Sequence, residues 1–334
     1  MATLVTGGAG YIGSHMVWRL LDAGETVVVI DDLRTGHDWA VPGQAHFVQG
    51  DVSERDVLER ACALAPIDAV IHFAGSVIVP ESLADPLKYY RNNTCASRAL
   101  IENCLAAGIE RILFSSTAAV YGEPETCPVA ETASTLPTTP YGTSKLMVEQ
   151  ILRDTARATG LRYGALRYFN VAGADPLGRT GHSTTGATHL LKVACEAALG
   201  IRDSITVHGT DYPTRDGTAE RDFIHVSDLV DAHFLALRHL RDEGDSFTAN
   251  CGYGQGYSVF EVIDEVSKAA GREVPVRLGP RRDGDCARVI ADNTALLGLL
   301  DWHPAYCDLA VIARHALDWE ERLRARNAPV SQTR

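Results

Sequence analysis

The chain has 334 residues, a formal net charge of −12, and 46% hydrophobic against 22% charged residues. This is an ordinary globular composition that excludes disorder, collagen and coiled coil, and the length suits two joined domains. With 31 Lys plus Arg against 43 Asp plus Glu there is no basic field to hold a polyanion, so no nucleic-acid partner is expected. No stretch nears the roughly 20 apolar residues that span a bilayer, and Met1 runs straight into a strand-like segment. No membrane partner and a cytoplasmic location follow as expectations. Eight cysteines without a C-x-x-C pair and twelve histidines without H-E-x-x-H argue against a metal site.

In chain order, short β-branched runs predict buried strands at 3–6, 26–30, 46–49, 69–74, 112–115 and 163–168. Apolar residues at three- and four-residue steps predict helices over 12–23, 53–64, 86–106 and 144–159, with Gly24, Gly108 and Gly160 as C-terminal caps. The alternation implies an α/β fold with a doubly wound parallel sheet (Rossmann) over 1–170. Beyond Asn170 the rhythm gives way to loops rich in Gly, Thr, Asp and Pro, with helices around 188–199 and 226–241. That region, 171–325, is expected to be a smaller α/β substrate-binding domain, although a segment such as 248–251 could return to the first sheet. A polar tail begins near Arg322, with 326–334 outside both domains.

Between the first strand and the first helix stand Gly7, Gly10 and Gly13, the spacing of a dinucleotide-binding loop. Gly7 and Gly10 let the backbone turn toward a pyrophosphate, Gly13 lets helix and strand pack closely, and the helix start offers free amides. Asp31 ends the second strand about 20 residues after the loop, where a carboxylate accepts from an adenosine ribose and repels a 2′-phosphate. NAD is favoured as cofactor, with NADP left open by nearby Arg34. Asp51, after the third strand, is a second candidate for the adenine end.

Downstream, Tyr141 and Lys145 form Y-x-x-x-K at a helix start, so both project from one face. A phenol with an unperturbed pKa near ~10 is a weak base at neutral pH, but an adjacent ammonium and a cationic nicotinamide both favour the phenolate. Tyr141 then removes a hydroxyl proton while hydride leaves the same carbon. Thr117 places a further hydroxyl at the carboxyl edge of the sheet, where such folds bind ligands.

These motifs, together with Ile71 to Gly75, Tyr89 to Asn93, Phe114 to Gly122, Arg167 to Asn170, Asp211 to His225 and Pro280 to Asp285, resemble those of the extended short-chain dehydrogenases/reductases. Within that family the resemblance is to the UDP-glucose (UDP-galactose) 4-epimerases, and it covers nearly the whole chain. It implies interconversion of UDP-galactose and UDP-glucose by transient NAD-dependent oxidation at sugar C4, ketone rotation and hydride return, in a homodimer.

Residue by residue, the resemblance makes Tyr141 the base, Lys145 its pKa tuner and ribose contact, and Thr117 the partner of the sugar 4-oxygen. It assigns Tyr11, Ile12, Val52, Phe73, Ala74, Gly75, Asn92 and Phe169 to the NAD site. Tyr168 and Asn170 fall where nicotinamide meets sugar. Arg221 and Arg282 would pair with the UDP pyrophosphate and Asp285 with the uridine ribose, while Thr206 would face the nucleotide.

Some positions depart from the pattern. Thr117 stands where many relatives have serine, and Val77 where some have lysine. His189 and His208 replace an amide and an aromatic that some relatives present to the nucleotide. Val289 stands where a tyrosine closes the sugar C2 side in similar epimerases, which leaves UDP-N-acetylhexosamine open as a substrate. UDP-xylose/UDP-arabinose epimerisation is also open, because its chemistry is identical. Dehydratases and decarboxylases of this fold add an acid just after the catalytic hydroxyl, whereas Ala118 and Ala119 follow Thr117 here. A non-catalytic NAD-sensing scaffold would lose the tyrosine or the lysine, and both are present.

Overall fold

The computed structural model describes residues 1–282 and 285–327. The first half runs β1 (Ala2–Thr6), α1 (Tyr11–Asp22), β2 (Thr26–Asp31), β3 (His46–Gln49), α2 (Arg55–Leu64), β4 (Ile67–His72), α3 (Val79–Ala84), α4 (Pro86–Tyr89), α5 (Ala96–Ala106), β5 (Arg111–Thr117), α6 (Pro140–Ala158) and β6 (Arg162–Tyr168). The second half holds β7 (Asn170–Ala172), α7 (Leu190–Ala198), β8 (Ile205–His208), β9 (Glu220–His225), α8 (Val226–Arg241), β10 (Phe247–Cys251) and β11 (Gly256–Ser258). After these come α9 (Val259–Ala270), β12 (Val276–Gly279), β13 (Arg288–Val289), α10 (Thr294–Leu299) and α11 (Leu309–Asn327).

Seven strands pair in parallel in the order β10-β6-β5-β4-β1-β2-β3. The central strands are near-continuous apolar runs because helices cover both faces. Val5, Met16, Leu20, Ile71 and Leu229 pack on one face, and Leu4, Ile30, Leu100, Phe114 and Leu152 on the other. Strand order reverses between β1 and β4, which opens a crevice at their carboxyl ends. The second region builds on β9, which pairs with β7 and β13 in parallel and with β11 antiparallel. Its core of Leu191, Ala194, Val262, Val266, Ile312 and Leu317 joins α7, α9 and α11. From beyond that region's first strands β10 crosses back to the main sheet, setting Cys251 opposite Tyr168. Among the described residues, no helix is long and apolar enough to cross a membrane.

Each predicted strand of the first half is present, but β3 is an edge rather than a buried strand, since it pairs with β2 alone and buries only Val48. The helix predicted over 86–106 is interrupted. Asp85 caps α4 by accepting the Lys88 amide at 3.1 Å, and a π turn over Tyr90–Cys95 separates α4 from α5. Helix α6 starts at Pro140, before the predicted residue 144, because the Thr139 hydroxyl caps the Gly142 amide at 3.2 Å and proline suits the first turn. Gly24 and Gly108 take left-handed conformations at helix ends; Gly160 does not, because extended Thr159 already ends α6. The tail expected from Arg322 is helical through Asn327, held by buried Leu323, and 328–334 lie outside the described residues.

Candidate active site

At the crevice, Gly10 opens α1 without a side-chain cap, so the first helical amides stay free for an anion. Gly7 has φ +71°, and a Cβ there would stand 2.7 Å from the Ala74 nitrogen, while a Cβ at Gly13 would stand 2.1 Å from the Gly7 carbonyl oxygen. Only glycine lets the loop lie against Phe73 and Ala74 with α1 pressed onto it. The Asp31 carboxylate accepts from the amides of Ala9 (3.0 Å) and Leu33 (2.8 Å), and burial raises its pKa. Arg34, the group that left NADP open, is paired with Asp32 and reaches Asp51 at 3.4 Å. Asp51 also accepts from the Ser53 amide (2.9 Å) and hydroxyl (2.7 Å).

Other predicted cofactor residues have packing roles in their side chains. Val52 is buried among α2 and the strands, and Ile12 and Phe73 pack against the core under α1 and α8. The Tyr11 hydroxyl donates to the Gly173 carbonyl at 2.7 Å, and its ring stacks on His182 at 4.6 Å. Of these four, Tyr11 and Ile12 stand at the start of α1, while Val52 follows β3 and Phe73 follows β4.

The catalytic candidates meet where α6 crosses the end of β5. Lys145, 2% exposed, donates from Nζ to the Ser115 carbonyl at 2.9 Å, and burial lowers its pKa to about 8. Burial raises the Tyr141 phenol, while the Thr117 hydroxyl opposes that shift. Burial thus opposes the phenolate, which the sequence reading expects an ammonium and a cationic nicotinamide to favour together. Tyr168 pairs across from Thr117 and shares a hydrogen bond with the Ser115 hydroxyl. Phe169 packs on the small cluster of Ala118, Val120 and Tyr121, and Asn170 donates to the Asp222 carbonyl at 3.3 Å.

Asn92 is half-buried and donates to the Ser76 hydroxyl at 3.1 Å, next to Gly75. Its neighbour Asn93, which closes the Tyr89–Asn93 motif but was given no site role from sequence, is the more deeply placed residue. Asn93 Oδ1 accepts from the Ser76 amide (2.7 Å), and Nδ2 donates to the Ser76 carbonyl (3.0 Å) and to Ser144 Oγ (2.9 Å). Ser144 in turn donates to the Tyr141 carbonyl at 2.7 Å. The π turn changes the helical phase here, which a 3.6-residue periodicity does not reveal.

On the far side of the cleft, Arg221 of β9 is ion-paired with Asp285 and lies in register with Val289 of β13. Val289 packs against Ala118, Val120, Tyr121 and Val129, so it adjoins the segment that follows Thr117. Arg282 is exposed, and its neighbours Asp283 and Gly284 in the predicted Pro280–Asp285 motif lie outside the described residues. Thr206 is exposed on β8, and His208 approaches the Pro280 carbonyl at 3.3 Å. His189 stands edge-on to His182 at 4.7 Å, which brings it to Tyr11 and the glycine loop. Among the described residues no group of three or more His, Cys, Asp or Glu is placed to hold a metal ion.

A glycine cradle at the switch point, with a tyrosine, a lysine and a threonine beside it, is the arrangement of a nicotinamide-dependent enzyme. The chain matches, and belongs to, the NAD dependent epimerase/dehydratase family, with residues 3–252 covered. Its relatives over nearly the full length include UDP-glucose 4-epimerases. That of Azospirillum brasilense is 54% identical over 320 residues, covering 96% of this chain and 92% of that protein. That of Lacticaseibacillus casei is 46% identical, covering 96% and 97%. The crystal structure of UDP-glucose 4-epimerase from Brucella ovis in complex with NAD superposes with a TM-score of 0.92 at 43% identity, covering 95% and 97%.

Proposed function

We propose that this chain interconverts UDP-galactose and UDP-glucose by oxidation and re-reduction at sugar C4 with tightly held NAD. The observation that carries the reading is the meeting of Tyr141, Lys145 and Thr117 beside the Gly7–Gly13 cradle. The cradle fits the cofactor: a Cβ at Gly7 would meet Ala74 and one at Gly13 the Gly7 carbonyl, so glycine keeps the loop tight, and no side chain caps the first amides of α1, which face a phosphate. Residues 1–170, with β10, would hold NAD through the loop amides, Asp31 and the Phe73–Gly75 turn, and 171–325 would hold the UDP-sugar. Bound NAD+ supplies a cationic ring that draws the phenol toward phenolate and a carbon that accepts a hydride and gives it back.

Tyr141 removes the sugar 4-OH proton as hydride leaves C4 and, after the 4-ketose has turned, returns the proton to the 4-oxygen while the hydride returns to the opposite face of C4. Thr117 donates to the 4-oxygen and steers the phenol. Lys145, fixed to Ser115, holds positive charge beneath the site and orients the ribose. Arg221 and Arg282 grip the pyrophosphate and Asp285 the uridine ribose, so the nucleotide stays anchored while the 4-ketose rotates in a looser space. Substrate entry requires Arg221 to divide its charge between Asp285 and phosphate, which a guanidinium with five donors allows. His189, His208 and Thr206 line the nucleotide approach.

The active form would be a homodimer. Leu83, Leu87 and Met147 are exposed on α3, α4 and α6 (58%, 75% and 43%), and a second copy would cover them. Eight cysteines without disulfides suit a reducing cytoplasm. A further reading, activity on UDP-N-acetylhexosamine, is favoured by Val289, which places a small side chain beside the catalytic segment. The test of the main reading is incubation of purified protein with UDP-galactose and detection of UDP-glucose by NMR without added reductant. Absence of that product would remove the proposal.

A further inference from the structure

A buried polar network lies directly behind the catalytic trio, and the reaction as derived above does not use it. Tyr141, Lys145 and Glu149 recur at four-residue steps on α6, so all three project from one face. Glu149, 5% exposed, accepts from Arg167 through two bonds, Nε to Oε1 at 2.9 Å and Nη2 to Oε2 at 2.6 Å. Its Oε1 also accepts from the Ser116 hydroxyl. Ser116 and Arg167 are register partners on β5 and β6, each one residue before Thr117 and Tyr168. One carboxylate therefore fastens the helix that carries base and lysine to both strands that end in the site.

The network continues outward. Arg167 Nη1 donates to the Tyr121 hydroxyl at 3.0 Å, which donates to Asn250 Oδ1 at 2.7 Å. Asn250 Nδ2 donates to the carbonyls of Val129 (2.8 Å) and Asp292 (3.2 Å), the latter three residues beyond Val289. The chain of bonds spans from α6 to the segment just after β13.

We propose that Glu149 is a positioning residue, which through Ser116 and Arg167 sets the axial and rotational register of α6 so that Tyr141 meets Thr117. This rests on the assignment of Tyr141 as base. Bidentate geometry fixes the carboxylate plane, and the strand ends fix the guanidinium and the hydroxyl, so α6 has one favoured seat. A glutamine at 149 keeps the length but cannot accept both Arg167 bonds, and it leaves a buried guanidinium without its counter-charge. The helix then shifts, and the phenol loses its alignment with Thr117. The titratable and charged groups around the phenol are Lys145 on its own helix, Tyr168 from β6 and Tyr89 from α4, with His72 from β4 facing Lys145. Glu149→Gln also strips Arg167 of its counter-charge, whereas Ser116→Ala alters no charge, so the movement of the acid limb in Ser116→Ala is the one that reports displacement of the phenol relative to these groups.

The experiment compares wild type, Glu149→Gln, Ser116→Ala and Tyr141→Phe, each normalised to the amount of bound NAD so that only folded sites count. The expected result for Glu149→Gln is a kcat lower by ~10- to 100-fold with KM for UDP-galactose within about twofold of wild type, and an acid limb moved to higher pH. Ser116→Ala, which keeps the ion pair and removes one anchor, shows the same limb shift in smaller degree and covers the case in which Glu149→Gln does not fold. If Tyr141→Phe is inactive while both other variants keep wild-type kcat and an unmoved limb, Glu149 is merely structural and the proposal is overturned. If Tyr141→Phe is itself near wild type, the base is misassigned, and the failure belongs to that reading instead.

Discussion

The ammonium nitrogen of Lys145 lies 2.9 Å from the carbonyl oxygen of Ser115, two residues before Thr117 on the same strand. The lysine is thus tied to the strand that supplies the second hydroxyl of the site, so removing it changes both the charge beneath the phenol and the seat of α6. Tyr141→Phe should lower kcat by ~10²- to 10⁴-fold, the usual cost of losing a general base, with UDP affinity by calorimetry nearly unchanged. Lys145→Ala should lower kcat and also move the pH–rate profile. Near wild-type turnover for Tyr141→Phe at neutral pH would contradict the assignment.

Asp222 offers a pH test of stability. It is fully buried, and its carboxylate accepts from the amides of Tyr253 (3.0 Å), Gly254 (2.9 Å) and Ala291 (3.2 Å), while burial raises its pKa to about 6. A folded pKa above the unfolded value means the folded state binds the proton more tightly. The contribution of this group is full below about pH 4 and declines as pH rises through about 6. Asp222→Asn should flatten that part of the Tm profile. It should also cost about 1–3 kcal/mol, because its amide group cannot accept from all three donors. An unchanged slope between pH 4 and 6 would contradict the account.

Val289 packs on the cluster that holds Ala118 and stands in register with Arg221. Val289→Tyr should reduce kcat/KM for UDP-N-acetylglucosamine far more than for UDP-glucose, since overfilling a packed site costs ~1–3 kcal/mol. The ratio of the two constants in wild type and variant is the measurement. An unchanged ratio would show that Val289 does not limit the sugar C2 side.

Leu87 is 75% exposed at the start of the interrupted helix and near α6. If α3, α4 and α6 meet a second copy, Leu87→Glu should convert a dimer mass by light scattering into a monomer mass at micromolar concentration. A wild-type monomer at that concentration would contradict the proposed homodimer.

Much of this was legible because the relevant patterns are local. The loop from Gly7 to Gly13 lies between a β-branched run and an amphipathic stretch, and Tyr141 and Lys145 share a helical face wherever the helix lies in the fold. What escaped depends on phase or on long-range pairing. Asn93 bonds Ser144 and Ser76 from within a π turn, and no local pattern sets it apart from Asn92, which came from the resemblance. Glu149 looks like one more helical charge until β5 and β6 bring Ser116 and Arg167 together from 51 residues apart in register. His189 meets His182 edge-on and through it Tyr11, a contact between distant segments with no local signature. The pairing of β3 was mistaken for burial because His46–Gln49 is short and its neighbours are decided by sheet order rather than by its own residues.

The central claim is that one hydride leaves sugar C4 and returns to the same carbon within a closed site. UDP-galactose deuterated at C4 tests it directly, incubated with the purified protein without added NAD and followed by NMR. The account predicts UDP-glucose with deuterium retained at C4. UDP-glucose with C4 hydrogen drawn from solvent would contradict it.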